Sequence, residues 1–283
     1  RTEFAWMYAL GANHHTLFDY QNVKNQVVVF VIFPKGETFL NAVGVKLSEK
    51  PNPASNLLQS NFIDTLKNNN KKVHYIQEGP SWFFNDYETF AQFRFYKGLF
   101  PDKKVSVIST LLIEELIKHI TPVVEDKVII GGNFARWYGG FQSYVVADVF
   151  GVEKWTQDSH AKRPNESNIP DLNHLQRLPW AGWMSVLSTF KYAVHLMPTV
   201  AAGTFSLNCA YFGIPCIGNI KVDTQRYCHP ELSVAVDDVE KARKMAYKLK
   251  TDKEFYNKCS TQSKELYREH YDIKVWQEKI NLK

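Results

Sequence analysis

The sequence predicts an α/β protein built from two Rossmann-like domains, and three observations predict it. Short apolar runs rich in β-branched residues alternate with helical stretches in both halves of the chain. Two glycine-containing strand-to-helix turns stand in the second half, at Gly131-Gly132 and at Gly203-Thr204. A length of 283 residues with 45% hydrophobic residues exceeds one ordinary domain and suffices to fill two cores.

In the first half, strands are expected at 27–33, 73–77 and 105–109, with helices near 56–68 and 87–98, which is the rhythm of a βαβ domain. Residues 27–33 form the longest uninterrupted apolar run, far below the roughly 20 residues that cross a bilayer, so a buried strand accounts for it and no membrane span is expected. Residues 50–56, with two prolines and two asparagines, read as a loop. The segment Thr121-Pro122-Val123-Val124-Glu125-Asp126 combines a proline with two acids ahead of a new strand. The domain boundary is placed there, giving domains of residues 1–124 and 125–283.

The second half repeats the pattern. A strand at 127–130 leads through a glycine-rich turn to a helix at 140–150, the polar stretch 158–171 reads as a loop, and a helix covers 183–190. A strand at 194–197 is ended by Pro198, a helix opens at Gly203-Thr204, and Gly213-Ile214-Pro215 returns the chain to a strand at 215–217. Val239, Ala242, Ala246 and Leu249 then recur at helical spacing behind Asp237 and Asp238, which are placed to cap the helix. A further helix is expected from Asp252, and its continuation supplies Tyr267, Tyr271 and Trp276 as bulky packing residues on a tail that returns to the first domain.

A net charge of +5 and a pI near 8.8 describe a solvated surface better than a nucleic-acid-binding one, because 34 basic residues are largely offset by 29 acidic ones. Cys209, Cys216, Cys228 and Cys259 lack metal-type CxxC spacing and read as reduced thiols of a cytoplasmic protein. The chain begins at Arg1 without a methionine, consistent with a missing or processed N-terminal piece, and no stretch has a signal peptide's layout.

The chemistry-bearing candidates lie at the two glycine turns. The first runs Gly131-Gly132-Asn133-Phe134-Ala135-Arg136-Trp137-Tyr138-Gly139-Gly140 between a strand and a helix, and glycine lets backbone amides approach a phosphate closely. The second opens a helix whose first amides, at Phe205 and Ser206, are free to bind an anion. In a parallel sheet both turns fall on the carboxyl rim, where open α/β folds bind ligands.

The segment from Lys127 to Trp276 resembles the nucleotide-sugar-binding C-terminal domain of GT-B glycosyltransferases, above all the large retaining family that includes many sucrose, trehalose and lipopolysaccharide enzymes. Gly132-Asn133, Tyr138-Gly139, Pro198-Thr199, Gly203-Thr204-Phe205-Ser206-Leu207 and Gly213-Ile214-Pro215-Cys216 carry the resemblance in order and spacing. It implies two Rossmann-like domains facing a deep cleft and a retaining hexosyltransferase that moves a sugar from a nucleotide-diphosphate donor, with no further cofactor. The donor residues it implies are Gly132, Asn133, Arg136, Tyr138, Gly139, Gly203, Thr204, Phe205, Ser206 and Asn208. Asn133 and Tyr138 stand where the family has arginine and lysine, leaving Arg136 to supply the cation. Asn208 stands at the second of the family's paired glutamates, where it can hydrogen-bond a ribose hydroxyl.

Trp180, in Leu178-Pro179-Trp180, is placed to stack on the nucleotide base, with a core anchor shared with Trp183 as the equal alternative. Asp223-Thr224-Gln225 is expected as a loop near the donor sugar. His195 in a strand and Glu78 at a strand end are the candidate catalytic residues, each set against an ordinary core or turn role. The pair His14-His15 follows in a loop. No Asp-x-Asp triplet, Walker-type Gly-Lys-Ser/Thr, complete GxGxxG or Gly-x-Ser-x-Gly occurs, which argues against a manganese-dependent GT-A enzyme, an NTPase, a dehydrogenase and an α/β-hydrolase. The expected partners are a nucleotide sugar and a glycan or protein acceptor, while DNA is an acceptor that the charge permits without favouring. A nucleotide-sugar epimerase, a DNA-base glycosyltransferase and a non-catalytic nucleotide-sugar-binding module are the alternatives.

Overall fold

The computed structural model describes residues 2–13, 24, 27–32, 72–77, 110–132, 139–157, 169–198 and 203–279. The chain divides into two compact units, one of Arg1–Ala9 with Ser109–Ile280 and one of Leu10–Ile108 with Asn281–Lys283. In the smaller unit, β1 (Val27–Ile32) and β2 (Lys72–Gln77) pair in parallel, with Val27 opposite Lys72 and Ile32 opposite Gln77. Both strands stand where the sequence puts them. The helices expected at 56–68 and 87–98 and the strand at 105–109 lie outside the described residues, as do His14 and His15.

The larger unit opens with α1 (Thr2–Leu10). Apolar residues occupy nearly every position of Phe4–Leu10, so no periodic stripe marks the helix in the sequence. Its sheet holds β3 (Glu125–Ile130), β4 (Glu153–Gln157), β5 (Leu172–Leu175), β6 (Phe190–His195), β7 (Cys216–Asn219) and β8 (Ser233–Val234). The spatial order is β5-β4-β3-β6-β7-β8 and every pairing is parallel, the doubly wound order in which the chain reverses direction beside β3.

Helices cover both faces: α2 (Gly140–Ala147), α3 (Trp180–Leu187), α4 (Thr204–Phe212), α5 (Asp223–Cys228), α6 (Val239–Thr251), α7 (Lys253–Tyr271) and α8 (Ile273–Lys279). Alternation along the central strands sorts the core into two clusters. Val128, Ile130, Tyr192 and Val194 pack against Val146 of α2 and Ala242, Ala246 and Leu249 of α6. Ile129, Ala193 and Cys216 pack against Trp183, Met184 and Leu187 of α3, Leu207 of α4 and Tyr267 of α7. Each such aliphatic side chain removed from water contributes about 1.5–3 kcal/mol. Cys209, Cys216, Cys228 and Cys259 are all buried free thiols.

Residues 110–124, which the sequence reading puts with the first domain, pack in this unit. Leu112 and Ile117 join the cluster of Ile129 and Trp183, and Glu114 accepts hydrogen bonds from Tyr267 Oη at 2.8 Å and Arg268 at 2.6 Å. The terminal helix α8 meets α1, where Gln277 Nε2 donates to the Ala9 carbonyl at 2.6 Å. No helix among the described residues is long and apolar enough to cross a membrane.

Several elements differ from the expected ones. The helix expected at 183–190 spans Trp180–Leu187, and the strand expected at 194–197 spans Phe190–His195. Leu196 leaves the ladder because its N–H donates instead to Ser143 Oγ of α2, at 2.9 Å. The Asp223-Thr224-Gln225 segment is the first turn of α5 rather than a loop. β4, β5 and β8 were not foreseen, since Glu153–Gln157 and Leu172–Leu175 carry few apolar residues and β8 has only two residues.

The expected helix starts at Asp238 and Asp252 are present as caps: Asp238 Oδ1 accepts from Lys241 N at 3.1 Å and Asp252 Oδ1 from Phe255 N at 2.9 Å. Asp252→Ala is expected to lower unfolding free energy by about 1 kcal/mol in chemical denaturation, with an unchanged dependence on denaturant.

Candidate functional site

Because β3 and β6 are neighbours but the connections leaving them run in opposite directions, a crevice opens at their carboxyl ends. Both glycine turns are drawn to it. The backbone of Gly131 donates to the Val194 carbonyl at 2.9 Å, and Thr156 of β4 donates its hydroxyl to the Gly132 carbonyl at 3.0 Å, which pins the turn after β3. Gly131 must lack a side chain, since a Cβ there would stand 2.7 Å from His195 Cγ and 2.8 Å from Phe205 Cδ1. Gly139, left-handed at φ 65°, lies against the Leu196 carbonyl, where no Cβ fits.

The strand β6 leaves the sheet at His195, and the next residues are held from both sides. Ser143 receives the Leu196 N–H, and Asn219 at the end of β7 donates to the Met197 carbonyl at 2.7 Å. Thr156, Ser143 and Asn219 are uncharged and scattered along the sequence, so no motif announces them.

Two helices therefore present their N-termini at one rim. α2 starts behind Gly139 and α4 behind Gly203, each glycine in the left-handed conformation and neither helix with a side-chain cap. At α6 and α7 an aspartate occupies an amide of the first turn, whereas a glycine cap has no side chain with which to do so. The first-turn amides of α4, at Thr204, Phe205 and Ser206, thus have no capping side chain, and the positive end of the helix dipole faces the rim. Such an arrangement binds an anion, and two of them side by side suit a diphosphate.

The sequence-predicted residues fall as follows. Gly132 (φ 77°), Gly139 and Gly203 form the turns, Thr204 is exposed on the first turn of α4, and Phe205 is half-buried against the His195 ring at 5.0 Å between centroids. Ser206 is buried, and its hydroxyl is 3.1 Å from the Gly203 carbonyl and 2.7 Å from Thr224 Oγ1. Its side chain is thus committed within the fold. Asn208 is 5% exposed, and its Oδ1 has no partner among the described residues. Trp180 is half-buried at the start of α3, packed against the cluster that contains Trp183. Asn133, Arg136, Tyr138 and Glu78 lie outside the described residues.

His195 ends β6 under Phe205. Its Nε2 has no exposed surface and no partner among the described residues, and burial pushes its pKa down to about 4, so the ring is neutral.

A second buried histidine, His229, was not singled out by sequence. Its Nε2 lies 3.0 Å from the Ser206 carbonyl, which can only accept, so Nε2 carries the proton and Nδ1 is bare and without a partner among the described residues. Burial lowers its pKa to about 4 despite that hydrogen bond.

A search against protein-family models finds no match, and no curated protein matches the chain by sequence. Solved structures do match. An α-glucosyltransferase in complex with UDP and a 13-mer DNA containing an HMU base has a TM-score of 0.65 at 10% identity, covering 94% of this chain and 83% of its own. WaaG, a glycosyltransferase involved in lipopolysaccharide biosynthesis, has a TM-score of 0.57 at 9% identity, covering 89% of this chain and 98% of its own. A point mutant of S. aureus TarM in complex with Fondaparinux, α-GlcNAc-glycerol and UDP has a TM-score of 0.54 at 11% identity over 81% of this chain. The chain spans 53% of the length of that TarM structure. At such identities the likeness is one of fold, and the fold is that of the GT-B glycosyltransferases.

The neutral state of His229 sets a pH dependence. In the unfolded chain the imidazole titrates near 6.5, so its contribution is complete above that pH and is lost as pH falls from about 6.5 toward the folded value of about 4. The His229 contribution to unfolding free energy is expected to be constant above neutrality and to fall through this window by about 3 kcal/mol. His229→Gln, which keeps a donor for Ser206, should flatten the profile between pH 6.5 and 4 relative to wild type; an unaltered slope would remove His229 as its source.

Proposed function

We propose that this chain is a glycosyltransferase that moves a sugar from a nucleotide-diphosphate sugar to an acceptor hydroxyl. The observation that carries the reading is the convergence of two helix N-termini, both capped by glycine, at the strand-order reversal of a GT-B fold. The α-glucosyltransferase and TarM structures were both solved with UDP, which supports a uridine nucleotide as the first donor to test.

In the proposed reaction the bond between the anomeric carbon and the distal phosphate breaks and one to the acceptor oxygen forms. The negative charge that develops on the departing diphosphate is met by the amides of Phe205 and Ser206 and by the turn at Gly132, with Arg136 adding a cation. Donors fixed before the reaction stabilise such charge without reorganising, which makes leaving-group stabilisation the main catalytic contribution. On this reading no metal is required. Asn208 contacts the ribose, Trp180 stacks on the base, and transfer retains configuration, as in the family that the chain resembles.

The acceptor is proposed as a glycan or a protein. DNA stands as the alternative, supported by the α-glucosyltransferase solved with HMU-containing DNA. A steep fall of acceptor affinity with salt would mark the DNA case.

Calorimetry with UDP, GDP and ADP in metal-free buffer is expected to give micromolar-range binding of one nucleotide, about the strength usual for substrates. Its sugar conjugate should then be consumed only when acceptor is present. Folded protein that binds none of the three contradicts the reading, and binding without turnover on any acceptor replaces it with a nucleotide-sugar-binding module.

A further inference from the structure

We propose that Thr224 is a positioning residue of the donor site, holding the first turn of α4 in place through the Gly203 carbonyl. The inference rests on the diphosphate reading of that turn and assigns it a residue that never touches the ligand. Thr224 is 2% exposed and lies on α5, and its hydroxyl donates to the Gly203 carbonyl at 2.7 Å. Ser206 Oγ stands 3.1 Å from the same carbonyl and 2.7 Å from Thr224 Oγ1. Two hydroxyl protons serve these three oxygens. The shorter contact assigns the threonine proton to the carbonyl and leaves the serine proton to the threonine oxygen or the same carbonyl.

The clamp replaces what a capping side chain would ordinarily do. A Ser, Thr, Asp or Asn cap fixes the start of a helix by binding its first amides, which would then be closed to an anion. Here the start is fixed from its carbonyl side instead. Gly203 has to be glycine for two reasons that coincide: it is left-handed at φ 69°, and the space a Cβ would take is filled by Thr224 Oγ1. Behind the clamp, α5 is itself anchored, since Gln225 Nε2 donates to the Cys216 carbonyl of β7 at 2.8 Å. His229, just past α5, holds the Ser206 carbonyl at 3.0 Å. Both carbonyls, at Gly203 and Ser206, are thus fixed to the α5 segment, and the amides between them face the rim with no side chain of their own in the way. An anion site loses strength when its donors shift by about 0.5 Å, so the hydroxyl of Thr224 bears on diphosphate affinity at a distance.

The test compares Thr224→Val, which keeps the shape and removes the hydroxyl, with Thr224→Ser, which restores it. UDP and uridine are titrated into each folded variant and into wild type, and amide exchange at Leu207, whose N–H donates to the Gly203 carbonyl at 3.2 Å, is followed in ligand-free protein. Thr224→Val is expected to weaken UDP by roughly tenfold or more, the weight of one hydrogen bond to a charged group, while uridine affinity stays within about twofold. Exchange at Leu207 should quicken in that variant, and Thr224→Ser should recover both properties. Equal loss for UDP and uridine would mark a merely structural role and overturn the proposal, as would unchanged UDP affinity in Thr224→Val. Where wild type selects GDP or ADP, that nucleotide and its nucleoside take the place of UDP and uridine. Wild-type protein that binds none of the three nucleotides overturns the donor-site reading and this proposal with it, an outcome distinct from wild-type nucleotide binding that Thr224→Val leaves intact.

Discussion

Parallel pairing of β3 with β6 at the centre of the sheet is the constraint on which the rest of this unit depends. Val128, Ile129 and Ile130 face Tyr192, Ala193 and Val194 in register, and each of the three β3 residues is fully buried. Strands covered on both faces must be apolar throughout, which is why these short runs dominate the sequence pattern. Once the two strands are paired, the connections that leave them, toward β4 on one side and β7 on the other, bring α2 and α4 to one edge. The positive ends of two helices are then neighbours, an arrangement that is electrostatically unfavourable without an anion and favourable with one.

The edge is held almost entirely by neutral hydrogen bonds. Thr156 on Gly132, Ser143 on Leu196, Asn219 on Met197 and Thr224 on Gly203 each tie one carbonyl or amide of a turn to a neighbouring element. Among the described residues these contacts carry no charge, so the field they leave at the rim is that of the helix ends. The charged clusters stand apart from it: Lys154 is paired with Asp148 and Asp171, and Glu114 with Arg268, so their fields are locally compensated.

Much of this was legible in the sequence because the signals were local. Gly203 and Gly213 bracket α4, Asp238 and Asp252 begin α6 and α7, and the resemblance to GT-B enzymes follows from the order of Gly132, Pro198, Gly203 and Gly213-Ile214-Pro215. What escaped was set by tertiary partners. β6 stops at His195 because a serine far upstream takes the next amide, and β4 and β5 are strands through pairing rather than composition. α1 shows no stripe because its sequence is apolar on all sides. The orientation of Ser206 was hidden for the same reason. A serine on the first turn of an uncapped helix suggests a ligand contact, whereas here the Gly203 carbonyl and Thr224, on a segment that reads as a loop, together hold its hydroxyl inward.

The central claim is that the glycine-capped start of α4 binds the diphosphate of a donor nucleotide. The most direct measurement is a crystal structure of the protein with UDP. The account predicts a phosphate oxygen at about 3 Å from the backbone amides of Phe205 and Ser206, with Thr224 still bonded to the Gly203 carbonyl. A diphosphate bound away from this rim, with those amides facing only water, would contradict it.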